Sequence, residues 1–170
     1  LTSDVALNFG HSTIYTAGDQ YSKFQIEVLG NNNLITNGSN YTSYLNHTQF
    51  ENTPLLTSTT RTFTIRNAGS SSLNILNISL NASTTFSLEP LVLPTTLNSG
   101  EKITFQIHFT PTSTVPEMAT VSIESNDPNN NPFTFNIGSI GTSHSECTFE
   151  TSEKIIATQN FEDSPQTNPL

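Results

Sequence analysis

Thr62-Phe63-Thr64-Ile65-Arg66, Ile103-Thr104-Phe105-Gln106-Ile107-His108-Phe109, Val121-Ser122-Ile123 and Phe133-Thr134-Phe135-Asn136-Ile137 all fall between Thr62 and Thr142. In each run apolar and polar residues alternate. Successive side chains of a β-strand point to opposite faces, so each run makes one apolar and one polar face. Gly, Pro, Asn and Asp separate the runs. Several half-buried strands at this spacing predict an all-β chain folded as a β-sandwich.

The strands are expected at Thr59 to Asn67, Leu73 to Leu80, Phe86 to Leu88, Lys102 to Thr110, Met118 to Ser125 and Phe133 to Ile140. Ala68-Gly69-Ser70-Ser71 and Asn98-Ser99-Gly100 read as turns, Pro111 ends the longest strand, and Pro90 and Pro94 limit pairing around Phe86 to Leu88. Upstream, Lys23 to Leu29 carries Phe24, Ile26 and Val28 on one face. Gly30-Asn31-Asn32-Asn33 breaks it, because Gly and Asn tolerate positive φ. Asn31 to Ser58 reads as a long polar connection with one short strand around Leu34 to Ile35. Further strand candidates are Val5 to Phe9, Thr13 to Thr16 and Glu150 to Ala157. No segment sustains the three-and-four spacing of a helix.

Composition narrows the function classes. The chain has 170 residues, 14 acidic and 5 basic side chains and a formal charge of −9. It has no basic stripe, which excludes nucleic acid as an expected partner and argues against docking on anionic lipid. No run approaches the roughly 18 apolar residues of a membrane helix, so direct membrane insertion is not expected. Ser, Thr and Asn make up about 40% of the residues, well above ordinary usage. With only 11% charged residues, the surface must be built from uncharged polar groups. Eleven Phe and many β-branched residues set the chain apart from a disordered one. Cys147 is the sole cysteine, which rules out an internal disulfide. It reads as an isolated thiol, with an interchain link as the alternative. Leu1 in place of Met is what a chain beginning inside a longer precursor shows.

Five segments together carry a resemblance; one of them, Leu73-Asn74-Ile75, fits the strand that follows the first signature. Phe63-Thr64-Ile65-Arg66-Asn67-Ala68-Gly69 resembles the F-x-I-x-N-x-G signature of the ASH, or Hydin-like, immunoglobulin-type domains, in the form called "choice-of-anchor D" in bacterial secreted proteins. Gly100 followed by Phe105-Gln106-Ile107-His108-Phe109-Thr110-Pro111 is similar to G…F-x-I-x-F-x-P. Ser125-Asn126-Asp127-Pro128 with Asn131-Pro132-Phe133 is similar to the S-N-D-P…N-P-aromatic hairpin. Ile26 to Asn31 resembles the first strand. Two positions depart: a terminal G-x-G reads Ser139-Ile140-Gly141, and a Phe-Gly reads Phe50-Glu51. The resemblance implies an immunoglobulin-like β-sandwich of about seven or more antiparallel strands. It also implies a non-catalytic module, set between other domains of long secreted or surface proteins. The domain division expected is 1–22 as an N-terminal extension or end of a preceding module, 23–142 as the sandwich, and 143–170 as a linker or start of a following module.

Chemistry-bearing residues are scattered. His11, His47, His108 and His144 form no H-x-H or H-x-x-x-H pair, and His108 alternates with core positions and so points outward. No G-x-S-x-G elbow appears. Asp127, Asn129 and Asn131 have the D-x-N-x-N spacing that opens calcium loops and make the one metal candidate; calcium is the one cofactor considered. The sixth and twelfth positions are Pro132 and Gly138 instead of the Gly and Glu such loops use, which favours an Asx-rich turn. Tyr41, Tyr44 and Phe50 are ligand-binding candidates as an aromatic platform for sugar, or else they pack the connection onto the sandwich. Asn37, Asn40, Asn46, Asn77 and Asn81 head N-x-S/T triplets, which arise by chance in so Asn-, Ser- and Thr-rich a chain.

The function expected is a structural spacer module of a larger secreted or cell-surface protein, with no catalysis and with the neighbouring domains of its own polypeptide as partners. The alternatives are a module that binds carbohydrate or a surface protein through the loops at Asn31 to Ser58 or Asn126 to Pro132, and an accessory domain of a secreted hydrolase.

Overall fold

A computed structural model describes residues 23–81 and 84–143. Ten strands follow in order: β1 Ile26–Gly30, β2 Asn33–Ile35, β3 Thr53–Pro54, β4 Thr59–Asn67, β5 Leu73–Leu80, β6 Phe86–Leu88, β7 Thr95–Leu97, β8 Lys102–Phe109, β9 Pro116–Ser125 and β10 Phe133–Thr142. They form two five-stranded sheets, ordered β2-β1-β4-β8-β6 and β3-β10-β9-β5-β7. Pairing is antiparallel except for β3, which runs parallel to β10. The expected all-β sandwich is therefore the fold observed.

The alternation seen in the sequence is the alternation of burial. Phe63, Ile65, Phe105, Ile107, Phe109, Val121, Ile123, Phe133, Phe135 and Ile137 all point inward and are buried. Phe63 lies opposite Phe105 across β4 and β8, and Ile65 opposite Ile103. The ring of Phe63 also meets Phe135 from the facing sheet, centroids 5.6 Å apart. Two sheets joined by such interleaved side chains need no disulfide at this size. The outer face of the first sheet carries Thr60, Thr62, Thr64, Thr104 and Gln106 beside Arg66, Lys102 and Glu27, so uncharged polar groups make up much of it.

Where strand expectations and structure differ, local pairing is the reason. Lys23 to Leu29 starts late, at Ile26, and Phe24 is only half-buried. Asn31 and Asn32 have φ of 49° and 59°, as both central residues of a two-residue β1–β2 turn require. The connection from 36 to 58 is an interrupted edge to β10. Gly38 N–H donates to Thr134 O, Asn136 N–H to Ser39 O, Gly138 N–H to Thr48 O, Phe50 N–H to Gly138 O and Leu55 N–H to Thr142 O. β7, missed in the sequence, pairs with Leu73 to Ile75 of β5. β9 starts earlier than expected and β10 runs on to Thr142 because β3 pairs there. In β5 the register shifts between Ile75 and Asn77, so Leu76 is exposed while Ile78 is buried. The strand candidates Val5 to Phe9, Thr13 to Thr16 and Glu150 to Ala157, together with Cys147, lie outside the described residues.

Both sheets share one pole at the start of β1. Ile26 N–H donates to Asp127 Oδ2 at 3.0 Å, and Ser71 N–H donates to Lys23 O. The opposite pole holds the end of β10, where Leu55 N–H reaches Thr142 O and Leu56 N–H reaches Pro111 O. Edge strands β2, β3, β6 and β7 are each two or three residues long, which leaves little edge for another chain to pair with.

Candidate functional site

The aromatic platform does not assemble. Phe50 is 0% exposed and sits edge-on to Phe86 and Phe109, with centroids 5.4 and 6.3 Å apart. Its backbone is held by Gly138, which fixes the ring under the sheet. Tyr41 and Tyr44 are 87% and 60% exposed. The three candidates thus divide, one into the core and two onto the surface, because the chain turns inward only where it rejoins β10.

The Asp127 turn uses its oxygens internally. Besides the bond to Ile26, Asp127 Oδ1 accepts from Asn129 N–H at 3.0 Å and Oδ2 from Asn130 Nδ2 at 3.1 Å. Asn131 Oδ1 accepts from Ser125 N–H at 3.0 Å, and Asn126 Oδ1 from Asn74 N–H at 2.8 Å. A carboxylate that is fully buried and accepts from three nitrogens is closing a pole of the sandwich. Asp127, Asn129 and Asn131 therefore build an Asx turn, and no group of three or more His, Cys, Asp or Glu side chains capable of holding a metal occurs among the described residues.

Asn67 closes the same pole from the other sheet. It is buried, its Nδ2 donates to Ser71 O and Leu97 O at 2.8 and 2.9 Å, and its Oδ1 accepts from Gly69 N–H at 2.9 Å. This is the physical content of the N-x-G in the quoted signature: the carboxamide forms the turn and ties β4 to β7.

His108 points outward, its Nδ1 2.8 Å from Thr60 Oγ1 and its Nε2 3.6 Å from Glu89. Near the other pole Arg61 faces inward and pairs with Glu51 at 2.9 Å. His47 lies beside this pair, and burial, reinforced by the Arg61 charge, holds its imidazole below the usual range. His47 has a φ of 61° and closes a tight loop. His11 and His144 lie outside the described residues. Of the N-x-S/T asparagines, Asn40, Asn77 and Asn81 are exposed, while Asn37 accepts from Thr134 N–H and donates to Asn130.

One depression of about 480 Å³ opens between the 42–52 segment and the β9–β10 pair, lined by Thr42, Tyr44, Gln49, Asn52, Glu117 and Met118 among others. Sequence reasoning singled out Tyr44 but missed Gln49, Asn52, Glu117 and Met118. They come from two segments far apart in the sequence, 49–52 and the start of β9, and no local pattern links them.

Residues 41–133, more than half of the chain, match the family model "Abnormal spindle-like microcephaly-associated, ASPM-SPD-2-Hydin", or ASH. Among curated proteins none matches the sequence. Among solved structures, a Porphyromonas gingivalis W83 protein of unknown function aligns with a TM-score of 0.50 and 16% identity, over 75% of this chain and 51% of that one. The human CEP192 ASH/PapD-like domain 7 aligns with a TM-score of 0.46 and 12% identity, over 81% of this chain and 97% of that one. The secreted serine protease VesC of Vibrio cholerae aligns at 0.42 and 14%, over 56% of this chain and 21% of its own. The chain spans about half the length of the Porphyromonas protein, and likeness at these identities is a likeness of fold.

Proposed function

The chain belongs to the ASH family of non-enzymatic immunoglobulin-like modules, and from that premise we propose that it is a structural spacer in a longer secreted or cell-surface polypeptide. The domain boundaries proposed are 23–142 for the sandwich, with 1–22 and 143–170 leading to neighbouring modules of the same chain.

The two ends of the sandwich carry this proposal. The chain comes in at the pole where Lys23 and Ile26 bond to Ser71 and Asp127, and goes out at the pole where Thr142 bonds to Leu55. β10 alone spans ten residues between them, about 33 Å at the usual rise of a strand. A module with its ends at opposite poles adds its own length to a chain of domains; one with adjacent ends adds none. The buried Asn67 and Asp127 brace the incoming pole, and the short edge strands discourage lateral pairing. A surface of uncharged Thr, Ser and Asn suits an extracellular setting.

Small-angle scattering on two copies of the 170-residue chain joined in tandem tests the proposal. The expected result is a maximum dimension close to twice that of one copy. A tandem that folds side by side, with little gain in length, sinks it.

A further inference from the structure

The depression beside Tyr44 has features that a spacer does not need. All seven phenylalanines from Phe50 to Phe135 lie in the core, whereas Tyr44 stands 60% exposed at the groove, which the equally exposed Met118 also lines. Its loop is held rigidly. Ser43 N–H donates to Thr48 Oγ1 at 2.8 Å, Gln49 N–H donates to Ser43 O at 3.0 Å, and the Thr42 hydroxyl donates to Gln49 Oε1. The loop is also anchored on the β1–β2 hairpin, where Asn33 Nδ2 donates to Leu45 O at 2.8 Å. An exposed aromatic on an ordered loop is pre-organised for a ligand and loses little freedom on binding.

The polar groups around it are placed for hydroxyls. Asn52 is exposed and its carboxamide has no hydrogen-bond partner among the described residues. Glu117 Oε2 accepts from Thr85 Oγ1 at 3.3 Å, and Gln49 Nε2 reaches only its neighbour Phe50 O at 3.3 Å. Apolar surface beside a few convergent amides and one carboxylate, in a volume of about 480 Å³, is the make-up of a small-molecule site, which usually measures roughly 300–1,000 Å³. A pyranose ring fits that lining: its C–H face lies against an aromatic ring and its hydroxyls both donate and accept. Glu117 is the groove's one charged side chain, and the chain carries −9, so an anionic ligand is repelled.

We propose that this groove is a binding site for a neutral saccharide, with Tyr44 as the stacking surface and Gln49, Asn52 and Glu117 as the hydroxyl partners. It replaces the platform of Tyr41, Tyr44 and Phe50 and stands independently of the spacer role.

The test is an amide-shift titration of the full 170-residue chain with cellohexaose, maltohexaose and xylohexaose, up to about 10 mM, a range that reaches millimolar affinities. Polygalacturonate and an oligolysine peptide serve as charged controls. Saturable shifts from at least one neutral sugar at Thr42, Gln49, Asn52, Glu117 and Met118 are expected, with Tyr44→Ala weakening the affinity on the order of tenfold and leaving the melting temperature unchanged. Glu117→Gln should weaken binding of the neutral sugar, because a charged acceptor becomes a neutral amide, and should relieve the exclusion of polygalacturonate. Absence of saturable shifts with all three neutral sugars, shifts that Tyr44→Ala leaves intact, or shifts with oligolysine alone would each overturn the proposal.

Discussion

Phe63 of β4 and Phe135 of β10 meet across the two sheets with ring centroids 5.6 Å apart, and Phe63 also stacks on Phe105 at 5.5 Å within its own sheet. The three rings join both layers at the centre of the core. Truncating Phe63 to Ala removes contacts to both partners and leaves a cavity, so a loss of about 3–5 kcal/mol is expected. Phe135→Leu keeps most of the apolar volume and should cost much less, about 1.5 kcal/mol or under. Urea denaturation measures both; equal, small losses would mean that the rings do not share one packed layer.

Asn67 forms three hydrogen bonds while fully buried, so no apolar or charged residue replaces it. Asn67→Ala leaves the carbonyls of Ser71 and Leu97 and the Gly69 N–H without their partner, at about 1–3 kcal/mol for each group that stays dry. Asn67→Asp is expected to be worse than Asn67→Ala at neutral pH, since a carboxylate would face two carbonyl oxygens. The order of the two variants in thermal melts decides this; Asp more stable than Ala contradicts it.

The strands from Thr59 onward were legible because the alternation of Phe63 and Ile65, or Phe105, Ile107 and Phe109, is imposed by a core on one face only. β7 was not, because Thr95 to Leu97 is too short between Pro94 and Asn98 to show a period. The 36–58 connection hides its role for a different reason. It meets β10 at single residues such as Ser39 and Gln49, so no run of alternation forms. Within it, Phe50 and Tyr44 look alike in sequence and have opposite fates, decided by which residue coincides with a bond to Gly138. The groove draws Glu117 and Met118 from a strand whose sequence speaks only of its inner face.

Asp127 holds the incoming pole together through the three hydrogen bonds that its carboxylate accepts. Calcium and a chelator should therefore give the same melting temperature. Asp127→Ala should lower stability by about 1–3 kcal/mol in either, because the buried Ile26 N–H loses its acceptor. A calcium-dependent rise in melting temperature that the Asp127 variant abolishes would restore the turn as a cation site.

His47 makes stability depend on pH. Burial and the neighbouring Arg61 lower its folded-state pKa, with Glu51 opposing. The unfolded chain, with an imidazole near the usual value of about 6.5, therefore binds more protons than the folded one as pH falls through that value. Stability supplied by neutral His47 is present above pH 6.5 and declines below it. His47→Asn, which tolerates the same positive φ, should flatten this component between about pH 7.5 and 5.5. Urea midpoints of the two proteins across that range are the measurement, and parallel curves would exclude His47 as the titrating group.

Gly30 lets the Tyr44 loop sit against the β1–β2 hairpin. A Cβ at Gly30 would lie 1.8 Å from the carbonyl oxygen of Asn46 and 3.2 Å from the Phe63 ring, so neither backbone nor core can accept it without movement. Gly30→Ala must push the 42–49 loop outward, weakening the bonds from Asn31 and Asn33 to Leu45 O. A destabilisation of about 1–3 kcal/mol is expected, the usual range for overpacking. The displacement should also appear locally, as faster hydrogen exchange at Gln49, whose N–H bonds to Ser43 O inside the loop. Because Tyr44 rides on the same loop, weaker binding of any neutral sugar that the native groove takes should accompany it. Unchanged stability together with unchanged exchange at Gln49 would mean that the loop is not seated on Gly30, and that the position of Tyr44 is set by something else.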